Sequence, residues 1–123
     1  MAMEPQQLTI LLIDDDRDIR DVTHALLESL GYAVIEAPHP AAALDIAAGS
    51  TPIDLIFTDV QMPGMNGFEL AGKIKRLRPS VPIVYATGYA GAPTADRPAG
   101  PILAKPYRMA TLRNVVRQSL AQH

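Results

Sequence analysis

Short β-rich apolar runs alternate with amphipathic helical stretches from one end of the chain to the other, and this alternation constrains the fold more than any other feature. Leu8 to Ile13 (LTILLI) is an almost unbroken apolar run, the pattern of a strand covered on both faces. A helix from about Asp16 to Leu30 follows, with Ile19, Val22, Leu26 and Leu30 as its apolar stripe and Gly31 placed to cap its end. Tyr32 to Ala37 reads as a second strand. Pro40 suits the first position of a second helix, whose buried side is Ala43, Leu44 and Ala47. Ile53 to Val60 holds a third strand. The turn chemistry of MPGMNG then leads to a helix capped by Asn66, carrying Phe68, Leu70, Ala71, Ile74 and Leu77 and stopped by Pro79. Val81 to Thr87 is a fourth strand and Ile102 to Ala104 a short fifth. A last helix from about Met109 sets Leu112, Val115, Val116 and Leu120 on one side.

Five strands separated by helices imply an α/β fold, a doubly wound parallel sheet with right-handed crossovers and helices on both faces. The rhythm breaks once. The interval GYAGAPTADRPAGP, Gly88 to Pro101, has no large aliphatic residue with which a helix would dock. It predicts a loop or at most one turn, so the fourth helix of the series is expected to be short, absent or disordered. With 123 residues, 48% apolar and 20% charged, the chain suits one domain with a full core, taken as residues 8–121 after an N-terminal tail of residues 1–7.

Composition narrows the chemistry. The absence of cysteine excludes disulfides, iron–sulfur clusters, thiolate zinc sites and Cys nucleophiles. His24, His39 and His123 are too scattered to read as a metal cluster. A net charge of −2 argues against binding nucleic acid or an anionic membrane, and no apolar run is long enough to span a bilayer. The start, MAMEPQQ, does not read as a secretory signal, so a cytoplasmic location is expected.

Ligand chemistry in open parallel sheets collects beyond the carboxyl ends of the strands. Asp14, Asp15 and Asp16 follow the first strand, Asp59 ends the third, Thr87 the fourth and Lys105 the fifth. Each has an ordinary explanation by itself: acids favour a helix start, a lone Asp makes an Asx turn, Thr87 caps a turn and Lys105 sits on the surface. Those explanations do not require all four to meet at one edge. Carboxylates crowded there repel one another, and a hard divalent cation with oxygen ligands, Mg²⁺ for a small, partly hydrated site, resolves the conflict. A lysine and a hydroxyl beside an Asp and a metal then suggest phosphoryl chemistry with a carboxylate attacking phosphorus.

Two rivals are tested on the letters. Asp14, Asp16 and Asp18 have the spacing of an EF-hand loop, but Ile19 stands where Gly is needed and Ala25 where a bidentate Glu is needed. A phosphatase of the haloacid dehalogenase type needs a DxDx(T/V) stretch and a longer chain than this one, whose corresponding stretch is DDDRD.

The pieces ILLIDDD, LIFTDVQMPGMNGFEL, IVYATG and ILAKPY, in that order, resemble the receiver (REC) domain of two-component response regulators over essentially the whole chain. The resemblance implies a flavodoxin-like sheet of order 2-1-3-4-5. It implies that Asp59 is the phosphoacceptor, taking a phosphoryl group from a histidine kinase or histidine phosphotransfer protein. Asp14 and Asp15 match the acidic pair that helps to hold Mg²⁺, with Asp15 and Asp59 favoured as direct ligands and Gln61 contributing its backbone carbonyl. Thr87, with Gly88 after it, and Lys105 match the hydroxyl and ammonium contacts to the phosphoryl oxygens, and the bond before Pro106 is expected to be cis. Asp16 is expected only to cap a helix.

There are departures. Receivers usually carry Tyr or Phe three residues before the lysine, where this chain has Ile102. With PIVYATGY and the missing fourth helix, this resembles the FATGUY subgroup, named for a PFxFATG(G/Y) pattern. Pro82, Ala86, Thr87, Gly88 and Tyr89 match that pattern, Tyr85 replaces a Phe and Ile83 departs. Tyr89 is the candidate switch aromatic in place of the absent ring. The expected function is thus a phosphorylation-controlled signalling module, a monomer acting through an unidentified downstream protein, and not an enzyme beyond its own phosphorylation and dephosphorylation. The alternatives are a small Mg²⁺-dependent aspartyl-phosphate phosphatase and a receiver excised from a hybrid histidine kinase.

Overall fold

The apolar run after Leu8 forms β1 (Thr9–Ile13), and the chain then alternates through α1 (Arg17–Ser29), β2 (Ala33–Ala37), α2 (Pro40–Ala48), β3 (Leu55–Asp59), α3 (Gly67–Leu77), β4 (Ile83–Thr87), β5 (Ile102–Ala104) and α4 (Met109–Ala121). The computed structural model describes residues 7–88 and 98–122. All neighbouring strands pair in parallel, in the order β2-β1-β3-β4-β5. This is the expected flavodoxin-like sheet, with four helices among the described residues and none of them between β4 and β5. Residues 89–97, including Tyr89, lie outside the described residues, as do residues 1–6 of the expected tail.

Side chains alternate across the sheet, so an unbroken apolar strand feeds two cores at once. Leu11 and Ile13 of β1 join Ile56, Leu70, Ile74 and Tyr85 on the face covered by α2 and α3. Ile10 and Leu12 join Leu27, Phe57, Leu112 and Val116 on the face covered by α1 and α4. Helix starts follow local chemistry. Asp16 accepts from Ile19 N at 3.1 Å, the His39 ring from Ala42 N at 3.1 Å, and Asn66 from Glu69 N at 2.8 Å. Pro40 occupies the first turn of α2, as its missing N–H allows.

Of the stripe expected on α1, Leu26 and Leu30 pack against the core and Ile19 is half-buried, but the most buried positions are one residue on from Val22 and Leu26. Val22 is 60% exposed, while Thr23 and Leu27 are buried. Thr23 turns inward because its hydroxyl shares a hydrogen bond with that of Tyr107, a residue beyond β5. The Tyr107 ring lies edge-on to Phe57, with ring centroids 5.8 Å apart. Tyr85 also differs from a Phe. Its ring packs on Phe68 and its hydroxyl accepts the Ala99 N–H at 3.1 Å, which ties down the chain just before β5. Next to it, any Cβ at Gly100 would overlap the backbone oxygen of Ile83, so only glycine lets the strand approach so closely.

Candidate functional site

The register of the sheet brings the ends of β1, β3, β4 and β5 to a common edge, with Ile13 beside Thr58, Asp59 beside Ala86 and Thr87 beside Ala104. Asp14 and Asp59 are 3% and 7% exposed, unusually hidden for carboxylates, whereas Asp15 is exposed. One carboxylate oxygen each from Asp14, Asp15 and Asp59 lies within 4.8 Å of the others. Lys105 reaches across from the end of β5. Its Nζ donates to Asp14 Oδ2 at 3.1 Å and lies 3.4 Å from Asp59 Oδ1.

Backbone groups also bond to the two buried carboxylates. The Gln61 N–H donates to Asp59 Oδ1 at 3.3 Å, and the Asp16 N–H to Asp14 Oδ1 at 2.9 Å. The backbone of Lys105 bonds to Thr87 O at 2.8 Å, which sets Thr87 directly beside the lysine. Gly88 runs along the Lys105 side chain, and the Lys105–Pro106 bond is cis. The structure therefore gathers Asp14, Asp15, Asp59, Gln61, Thr87, Gly88, Lys105 and Pro106 at one place. Tyr89 falls outside the described residues.

Charge at the site is unbalanced. Burial pushes the Asp59 carboxyl above the ordinary range, the Lys105 ammonium pulls it back, and the Asp14 charge pushes it up again. Burial alone would lower Lys105, but the charges of Asp59 and Asp14 outweigh it and hold the ammonium above its usual value. Three oxygen donors with one lysine between two of them suit a small hard cation, which would relieve the repulsion that the single ammonium only partly offsets.

Several residues at the site escape the sequence reading. A Cβ at Gly67 would overlap the backbone oxygen of Asp59, and the Gly67 N–H donates to Val60 O at 2.8 Å, so this glycine lets α3 start against the end of β3. Arg20 Nη1 donates to Asp14 O at 2.8 Å. Thr23, Val22, Ile19 and Leu26 of α1, with Pro106 and Tyr107, line a groove of about 500 Å³ that runs up to Gly88 and Lys105. For Gly67, Arg20 and Thr23 the only signals in the sequence are a glycine next to a cap residue and polar residues near an apolar stripe, both common in any helix.

The family model of the response regulator receiver domain matches residues 10–117. The chain belongs to the response regulator receiver family. Receivers are phosphoacceptor signalling modules, which work with histidine kinases or phosphotransfer proteins and bind Mg²⁺ at an Asp cluster. This receiver is 34% identical over 115 residues to the response regulator receiver protein CpdR of Brucella abortus, covering 90% of this chain and 95% of that one. The CheY-like receiver structure from Methanospirillum hungatei superposes with a TM-score of 0.86 at 29% identity, covering 95% and 96% of the two chains. The receiver domain of the hybrid histidine kinase CckA gives a TM-score of 0.78 at 34% identity, covering 91% and 98%. Among the described residues of this receiver no helix is long and apolar enough to cross a membrane.

Proposed function

We propose that this receiver takes its phosphoryl group on Asp59 from the phosphohistidine of a histidine kinase or histidine phosphotransfer protein. An Asp59 carboxylate oxygen attacks phosphorus, an O–P bond forms, the P–N bond to the imidazole breaks, and the departing imidazole takes up a proton from solvent. Asp14, Asp15, Asp59 and the backbone carbonyl of Gln61 are the residues that would hold Mg²⁺. When bound, the cation neutralises charge on the phosphoryl oxygens. Lys105 bridges Asp14 and Asp59 beforehand and passes to a phosphoryl oxygen once Asp59 carries the acyl phosphate, while Thr87 donates to another. The groove beside α1 gives a donor protein a largely apolar surface that reaches Lys105, the neighbour of Asp59.

The observation that carries this reading is the lysine ammonium within 3.1 and 3.4 Å of two largely buried carboxylates, at the edge where three carboxylates converge. No external substrate needs to turn over. The chemistry is confined to phosphorylation of the receiver by donors, small acyl phosphates included, and hydrolysis of its own acyl phosphate. Intact-mass spectrometry after incubation with acetyl phosphate tests it. One phosphoryl adduct that requires Mg²⁺ and is lost in Asp59→Asn is expected. No adduct, or one that survives the substitution, overturns the assignment.

A further inference from the structure

Asp14 is held on every side. Its N–H donates to Ala37 O at 3.3 Å, its Oδ1 accepts from Asp16 N at 2.9 Å, and its Oδ2 accepts from Lys105 at 3.1 Å. Its carbonyl is taken by a group with no part in the chemistry above, the Arg20 guanidinium, at 2.8 Å. Arg20 Nε in turn donates to Glu36 Oε1 at 2.6 Å, and the other oxygen of Glu36 meets His24 Nδ1 at 2.6 Å. His24 Nε2 lies 3.4 Å from Glu28. The Arg20 side chain is only 14% exposed, so its charge needs the partner it has. Burial pushes Glu36 up, but Arg20 and His24 outweigh this and hold its carboxyl below the ordinary range.

The Asp14 carbonyl belongs to the peptide unit that joins Asp14 to Asp15. A peptide unit is planar, so fixing its oxygen fixes the direction in which Asp15 leaves the strand. We infer that Arg20, braced by Glu36, is a positioning residue that aims the Asp15 carboxylate at the oxygens of Asp14 and Asp59. The brace comes from β2, which also holds the Asp14 N–H through Ala37, so the acidic turn is pinned at both ends of one residue. Asp15 is the exposed member of the trio and gains most from the brace. A planar guanidinium holds a carboxylate and a carbonyl at once, which a single ammonium on a flexible stem does poorly.

This inference rests on the proposed cation site, and calorimetric titration of the full chain with Mg²⁺ alone, without any phosphodonor, separates the two. Arg20→Lys keeps the charge that Glu36 needs and is expected to weaken Mg²⁺ binding by about tenfold or more, as loss of a group orienting a metal ligand commonly does. Its circular dichroism is expected to stay that of the folded protein at the titration temperature. Phosphorylation by acetyl phosphate is expected to recover when Mg²⁺ is raised in proportion, a rescue that a purely structural defect would not show. Glu36→Gln leaves Arg20 an acceptor but no opposing charge, and is expected to weaken binding to a smaller extent. If Arg20→Lys does not fold, Glu36→Gln decides. Asp15→Asn is the control for the site. If Asp15→Asn weakens Mg²⁺ binding while folded Arg20→Lys binds like the wild type, the positioning role is overturned and the site stands. If Asp15→Asn has no effect, the site reading falls and the positioning role falls with it.

Discussion

At Asp59 the needs of the chemistry and of folding conflict. A carboxylate that must attack phosphorus has to be ionised, yet this one is hidden and faces a second carboxylate, Asp14. Burial raises its pKa above the unfolded value, so the folded state favours its protonated form. A raised carboxyl contributes stability that is present below the ordinary carboxylate range and lost as pH rises through the folded-state value. Asp59→Asn is therefore expected to melt a few degrees above the wild type at pH 7 in metal-free buffer. The advantage should vanish near pH 3, where both are neutral at this position. Melting curves across that range check it, and a mutant less stable at pH 7 would contradict the strain. Glu36 behaves in the opposite sense. Its lowered pKa marks stability that is present above the ordinary glutamate range and is lost in acid.

Among the elements, α3 is set by the closest packing in the site. Its first residue, Gly67, lies so near the end of β3 that a methyl group would overlap backbone, which cannot rotate away as a side chain would. Gly67→Ala is expected to destabilise the fold by ~2 kcal/mol or more, as overpacking does. It should also slow phosphorylation by acetyl phosphate, because the displaced atoms are those of the acceptor residue itself; denaturant unfolding and intact-mass time courses read the two effects. The elements also show which parts of the fold could be read in advance. Asp16 and Asn66 announce helix starts because a cap is a contract between residues three apart, and Pro40 announces one because its ring and missing N–H suit a first turn. On α1 the centre of the buried face lies at Thr23 and not Val22 because Thr23 is drawn inward by Tyr107, 84 positions away, and nothing within the helix says so. Tyr85 looked like a conservative exchange for Phe for the same reason, since its hydroxyl finds its partner, Ala99, only in the folded chain.

For the whole molecule, the acids and the lysine are legible as residue types at strand ends, but their meeting depends on strand order. Lys105 and Asp14 are 91 positions apart and touch only because β3 and β4 stand between their strands in one continuous sheet. A ligand bound by such a site binds the native state alone and stabilises all of it. Mg²⁺ at a hundredfold excess over its dissociation constant is expected to add about 2.7 kcal/mol, roughly 10 °C in melting temperature for a domain of this size. Asp15→Asn should forfeit most of that shift, and an equal shift in both proteins would place the cation elsewhere. The same sheet has an opposite edge, where α2 hands over to β3 through the exposed Gly49 and Ser50. Five-residue strands put about 16 Å between the two edges. A dye attached at Ser50 would thus ride on the side away from the acids, while one at Val22 would sit in the groove proposed above as the donor's surface.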